Sequence, residues 1–190
     1  MSRWIKFSLW GLCSIPVVLA LLGALSFYFP TEAPVSEDIR LLRQLQKDYV
    51  SYIQENTNLT CISVGSTGLN PIEGFLFYFE CPEKINRSEL YKAREIALNC
   101  SEKLIEMVNS NKSLRPYLAQ RPFTYQNIDI AVLFRLENSR SLEDRPFWSV
   151  SVERRGVVYK VEDDDGMLVR VRTEPYSEAI RLAKLKDPSL

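Results

Sequence analysis

The spacing of apolar residues along the chain changes several times, and each change marks a predicted element. From Phe7 to Phe29, FSLWGLCSIPVVLALLGALSFYF, there are 23 residues without a formal charge and without a polar face. At about 1.5 Å rise per residue this run is long enough to cross a hydrocarbon layer of about 30 Å. Pro16 removes one backbone donor, which a membrane helix tolerates when local rearrangement satisfies the freed carbonyl. Pro30 and TEAPVS (31–36) carry no period and read as a tether.

Beyond the tether the periods are those of a folded domain. Ser36, Glu37 and Asp38 open a helix with acids at its positive end, and Leu41, Leu42, Leu45, Tyr49, Tyr52 and Ile53 recur at three- and four-residue steps. Its other face, with Arg40, Arg43, Lys47, Asp48 and Glu55, reads as solvated surface in preference to a docking stripe. LTCISV (59–64) and FLFYF (75–79) are short, β-prone and separated by turn residues, so they are expected to pair as a hairpin. FLFYF is apolar at five successive positions, so both of its faces need cover. Either the domain supplies both layers, or one face waits for a partner; Phe75, Phe77 and Phe79 are the candidate interaction surface.

A second helix starts at Asn86 to Ser88 and carries Leu90, Ala93, Ile96, Ala97, Cys100, Leu104, Ile105 and Val108 on one stripe as far as Asn109. Strands are expected at 127–136, 148–154, 156–162 and 167–173, the last three alternating with tight turns between them. Glu174 and Pro175 open a final helix with Ala179, Ile180, Leu182 and Ala183 on its apolar side. The predicted fold class is α+β: an N-terminal transmembrane helix, then one domain whose mainly antiparallel sheet, a hairpin plus a four-strand meander, is packed by about three helices. The expected organisation is a cytoplasmic start (1–6), a transmembrane anchor or uncleaved signal (7–29), the tether (30–36) and an exported domain (37–190).

Charge refines the placement. Lys plus Arg and Asp plus Glu are 24 each, which gives no global field to gather nucleic acid. Arg3 and Lys6 lie on one side of the apolar run and no base follows until Arg40, so the N-terminus is expected in the cytoplasm and the domain outside it. Without those two bases the remainder holds 22 basic and 24 acidic residues, a net of −2. Ala24 and Ser26 also fit a signal cleavage site, which would release a secreted module; the aromatic cluster Phe27, Tyr28 and Phe29 suits a retained anchor.

Composition removes several chemistries. With no histidine, Ser-His-Asp and Cys-His nucleophiles, H-E-x-x-H metal sites and imidazole pH switches are absent. The seven glycines form no phosphate-binding loop. Cys61, Cys81 and Cys100 lie in the domain, an odd number, and Cys61 with Cys81 is the candidate disulfide if the hairpin register brings them together. Reduced, buried thiols are the rival. Glu162 to Asp165 with Gly166 reads as a hairpin turn, since it lacks the spacing of a calcium loop. Arg154, Arg155 and Gly156 mark the preceding turn. Asp129 in NIDIAV points away from Ile128 and Ile130 and is read as a solvent-facing or turn-pairing residue, in preference to a catalytic acid. Asn58, Asn86, Asn99 and Asn111 stand in N-x-[ST] triplets, which matter only in a eukaryotic secretory pathway.

No cofactor, metal or catalytic residue is expected from these patterns. The expected function is that of a single-pass membrane protein, with lipid contact through 7–29, whose extracytoplasmic domain binds a protein or ligand as a non-catalytic accessory or scaffold subunit of an envelope assembly. The alternative is a hydrolase built on carboxylates or a Ser/Lys pair, whose residues assemble from distant parts of the sequence.

Overall fold

The computed structural model describes residues 35–134, 148–163 and 165–185. Helix α1 (Glu37–Asn56) buries Leu42, Leu45, Tyr49 and Ile53, one residue per turn, as its three- and four-residue steps require. Its end is closed by side chains: Asn56 Nδ2 donates to the Tyr52 carbonyl at 2.8 Å and Thr57 Oγ1 to that of Ile53 at 2.6 Å. Strands β1 (Thr60–Thr67) and β2 (Gly74–Cys81) follow as an antiparallel hairpin with an irregularity between Cys61 and Ser63. Gly68 in its loop has φ 65°, and a Cβ there would sit 2.4 Å from the Pro71 carbonyl oxygen.

Helix α2 (Leu90–Ser110) is entered through a short 3-10 turn, Arg87–Glu89, where the Glu89 carboxylate accepts from the Asn86 backbone N–H at 3.2 Å. The helix carries the chain back along the sheet, and β3 (Ile128–Phe134) therefore enters parallel to β2, with Phe77 beside Ile130. Then β4 (Ser149–Glu153), β5 (Gly156–Glu162) and β6 (Leu168–Glu174) add successively in antiparallel sense, and α3 (Tyr176–Leu185) closes the described chain.

The molecule is α+β with one six-stranded mixed sheet, in the order β1-β2-β3-β4-β5-β6, and three described helices. This corrects the expected architecture in two respects. The hairpin and the four-strand meander are both present, but the α2 crossover joins them through a parallel β2–β3 pair, so the sheet is mixed. Nor is any described helix long and apolar enough to cross a membrane; α1 and α2 each keep a polar face. The expected anchor (7–29) and cytoplasmic start (1–6) lie outside the described residues, as does most of the tether. The last helix also starts later than predicted. Glu174 is the final residue of β6, and the Pro175 carbonyl accepts the first helical bond, from Ala179 N–H at 2.9 Å.

The three helices share one face of the sheet. Tyr49 of α1 meets Phe77 edge-on at 4.5 Å between ring centroids and Phe79 at 6.0 Å, and its hydroxyl donates to the Cys100 carbonyl of α2 at 2.9 Å. Tyr176 of α3 stacks on Tyr125 at 4.4 Å and its hydroxyl lies 3.1 Å from Ser101 Oγ of α2. Beneath this layer a buried ion pair crosses the core. Arg94 of α2, 1% exposed, grips the Glu174 carboxylate, 3% exposed, from Nε at 2.9 Å and Nη2 at 2.8 Å. Tyr159 OH donates to Glu174 Oε2 at 2.9 Å, and Arg172 Nε lies 2.9 Å from Oε1. Burial pushes the Glu174 carboxyl up, but the hydrogen bonds from Arg94 and Tyr159 outweigh it and hold the group below the usual carboxylate range.

Candidate functional site

Strand alternation places the other half of the side chains on the sheet face that none of the described helices covers. The register lines them up in rows. One row runs Ser63, Tyr78, Ala131, Ser151, Val158 and Thr173 across all six strands. It is a floor of mostly small residues, and Ala131, Ser151 and Val158 are buried. On one side of it lie Leu76 and Asp129, which are neighbours across β2 and β3, together with Glu153 of β4. On the other side are Leu133, Ser149, Lys160 and Arg170.

The charges on this face converge from four strands. Glu153 accepts from Ser151 Oγ at 2.7 Å and from Lys160 Nζ at 3.3 Å. Burial raises the Glu153 carboxyl, but the Ser151 hydrogen bond and the charges of Lys160 and Arg170 overcome this and leave it below the ordinary value. Asp129 is the contrary case. It is half-buried, has no hydrogen-bond partner among the described residues, and its carboxyl is raised by burial and then by the Glu153 charge, against the pull of Lys160. Tyr78 is raised by the same Asp129 charge, with burial adding to it. A hollow of about 520 Å³ opens over this group, lined among others by Leu76, Asn127, Asp129, Glu153, Arg154 and Arg170. Asp129 and Glu153, two carboxylates of opposite pKa tendency, and Arg154, Arg155 and Arg170 thus line one hollow of mixed charge.

The residues singled out in the sequence fall elsewhere. Phe75, Phe77 and Phe79 are 1%, 0% and 0% exposed and form the centre of the core beneath α1 and α2. Cys61, Cys81 and Cys100 are free thiols. The register sets Cys61 opposite Phe79, two residues short of Cys81. Burial raises the thiols of Cys61 and Cys81, and pushes that of Cys100 up to about 12. Thiols so raised stay protonated at neutral pH and are poor nucleophiles. Of the acidic run, Glu162 ends β5, and Asp163 and Asp165 lie between β5 and β6, with Asp163 Oδ1 accepting from the N–H groups of Asp165 and Met167 at 3.0 and 2.7 Å. No group of three or more possible metal ligands occurs among the described residues. Arg154 and Arg155 occupy the β4–β5 turn, at the rim of the hollow.

Asp129 points away from Ile128 and Ile130, as its strand parity predicts, yet it is only half-exposed. What sequence reasoning missed is that the charges of Glu153 and Lys160 act on it and that Arg170 lines the same hollow. The alternation of β4 and β5 contained the signal, because it put Ser149, Ser151, Glu153 and Lys160 on one face. Comparison with known protein families, curated proteins and solved structures gave no match, so the functional reading rests on this geometry.

Proposed function

We propose that the domain works by binding, as a non-catalytic accessory or scaffold subunit of an envelope assembly, and that the sheet face left uncovered by the described helices is where it meets its partner. The observation behind this is the composition of that face: half-buried Leu76, Tyr78 and Leu133, a buried small-residue floor and an Asp129 carboxylate without a hydrogen-bond partner among the described residues. A surface with apolar area and incompletely satisfied charge gains more from a partner than one whose charges are already paired. Attachment to the membrane through the apolar run 7–29, with 37–190 on the extracytoplasmic side, belongs to the same proposal and rests on the sequence. Photo-cross-linkers placed at Tyr78 and at Glu95, an exposed position of α2, test the surface in cells. Adducts from Tyr78 and none from Glu95 are expected; the reverse pattern would end the reading. A topology reporter fused to the C-terminus tests the export, and a cytoplasmic signal would overturn it.

A hydrolase is the second reading, favoured by one observation: Asp129 is raised and Glu153 lowered above the same hollow, as an acid and its partner carboxylate require. The serine–lysine version is less well supported. Ser149 and Lys160 are cross-strand neighbours, but the Lys160 ammonium is engaged by Glu153. Turnover of chromogenic glycosides or esters, lost in both Asp129→Asn and Glu153→Gln, is the expected result if the hydrolase reading holds. Turnover unchanged in both variants would dismiss it.

A further inference from the structure

Among the described residues the sheet has two edges, β1 and β6, and they are built differently. β6 carries Arg170 and Arg172 within the strand and is irregular opposite Tyr159 and Lys160. β1 is irregular too, between Cys61 and Ser63, so what separates the two edges is charge, which keeps an edge from pairing with other chains. β1 has neither charge nor proline in its eight residues, TCISVGST, and exposes Ile62 at 54% and Val64 at 39%. An uncharged edge of this length, rich in β-branched residues, is a template for one more strand.

The helix beside this edge supplies the selectivity. Gln46 of α1 reaches over β1 and donates to the Gly65 carbonyl at 3.0 Å. A hollow of about 460 Å³ lies along this seam, lined among others by Arg43, Lys47, Val50, Gln54, Cys61 and Val64. The other helical cations are largely paired with carboxylates on their own helix or its first turn: Arg40 with Glu37, Lys92 with Glu89, Lys103 with Glu106 and Arg181 with Glu178. Arg43 and Lys47 are both exposed and neither has a carboxylate partner among the described residues; the nearby Asp48 accepts instead from Gln44 at 2.7 Å. Four residues apart on a helix, they are separated by about 6 Å along the axis. Alternate side chains on one face of a strand are separated by about 7 Å. Two acidic side chains at alternate positions of an added strand therefore match the spacing of the two cations.

We propose that β1 is a strand-addition site for an extended acidic segment of a partner protein, which pairs with the edge that no described strand occupies, beside the Gly65 carbonyl held by Gln46, and sets carboxylates against Arg43 and Lys47. A second copy of this chain is the poorer occupant. It would offer a neutral strand without carboxylates and bring another Arg43 and Lys47 to the same seam, where like charges repel. Of β1 only Thr67 lines the hollow over Asp129, whereas Arg43, Lys47 and Val64 lie in the seam beside α1, so either proposal can fail without the other.

The test uses the full-length protein in detergent and three synthetic peptides: an acidic strand former that alternates Glu with Val and Thr, its Lys-for-Glu counterpart, and the acidic peptide N-methylated at alternate amides. Fluorescence anisotropy is expected to show the acidic peptide binding at least ten-fold more tightly than the basic one, with N-methylation abolishing the interaction. Slowed hydrogen exchange at the amides of β1 is expected alongside. In the double variant Arg43→Glu with Lys47→Glu, whose altered side chains are exposed, the preference should reverse toward the basic peptide. Equal affinity for both peptides, an acidic preference that survives the reversal, or cross-links joining Ile62 of two copies would each overturn the proposal.

Discussion

Two clusters of charge lie on opposite faces of the same sheet, and burial alone does not distinguish their behaviour. Burial is the leading influence on Glu174 under the helices and on Asp129 on the face that no described helix covers, and in both it pushes the carboxyl up. The outcomes are opposite because their partners differ. Both oxygens of Glu174 are held by Arg94, and Tyr159 and Arg172 add one contact each. Asp129 has a like charge beside it and no donor among the described residues. A buried charge that is fully satisfied fixes structure; a half-buried one that is not has capacity left for something outside the chain.

The sharpest way to break this contrast is to remove one member of the satisfied cluster. Arg94→Met strands the Glu174 carboxylate in the core and is expected to cost about 3–5 kcal/mol, read as a fall in the urea midpoint at unchanged slope. Gly156→Ala attacks the same region through the backbone. With φ at 121° and a new Cβ placed 2.1 Å from the Glu174 carbonyl oxygen, the turn must shift, and a loss of about 1–3 kcal/mol is expected in the same assay. Acid separates the two faces by sign. Glu174 has a lowered folded pKa, so its contribution is complete above its unfolded value of about 4.3 and is lost as pH falls through the folded one. Asp129 has a raised folded pKa, so ionisation costs stability and that cost fades as pH drops through the folded pKa toward about 3.9. The difference in urea midpoint between wild type and Asp129→Asn is therefore expected to narrow between pH 7 and pH 4. The smallest effect is Asp129→Asn itself at pH 7, neutral or slightly stabilising, within about 0.5 kcal/mol. A loss of several kcal/mol there would make Asp129 a structural residue and erase the contrast.

The elements were largely legible because each carries one period. FLFYF, the stripe from Leu90 to Val108 and the alternation of 148–173 all fall where strands and helices are found. Direction of pairing was not legible: whether β3 runs with or against β2 depends on the path taken by the intervening helix, and no residue in either strand records it. The ion pair was hidden for a related reason. Arg94 sits four residues from both Leu90 and Leu98 on the buried side of α2, but a charged residue is read as solvated until its partner is known. That partner, Glu174, looked like the first acid of a helix. On the open face, parity announced a polar surface and placed Asp129 upon it. The convergence of Asp129 with Glu153, Lys160 and Arg170 needed the register of four strands, and strand register is set by turns and core packing together.

The Arg94–Glu174 bond also orders events in time, since its members stand 80 residues apart. A ribosome adding about 5–20 residues per second needs roughly 4–16 s to travel from one to the other. Until then the guanidinium has no carboxylate to accompany it into the interior, and α2 cannot settle on the sheet at low energy. A chain interrupted before its sixth strand is thereby left with an arginine it cannot bury, which marks it as unfinished by the same bond that completes the whole one.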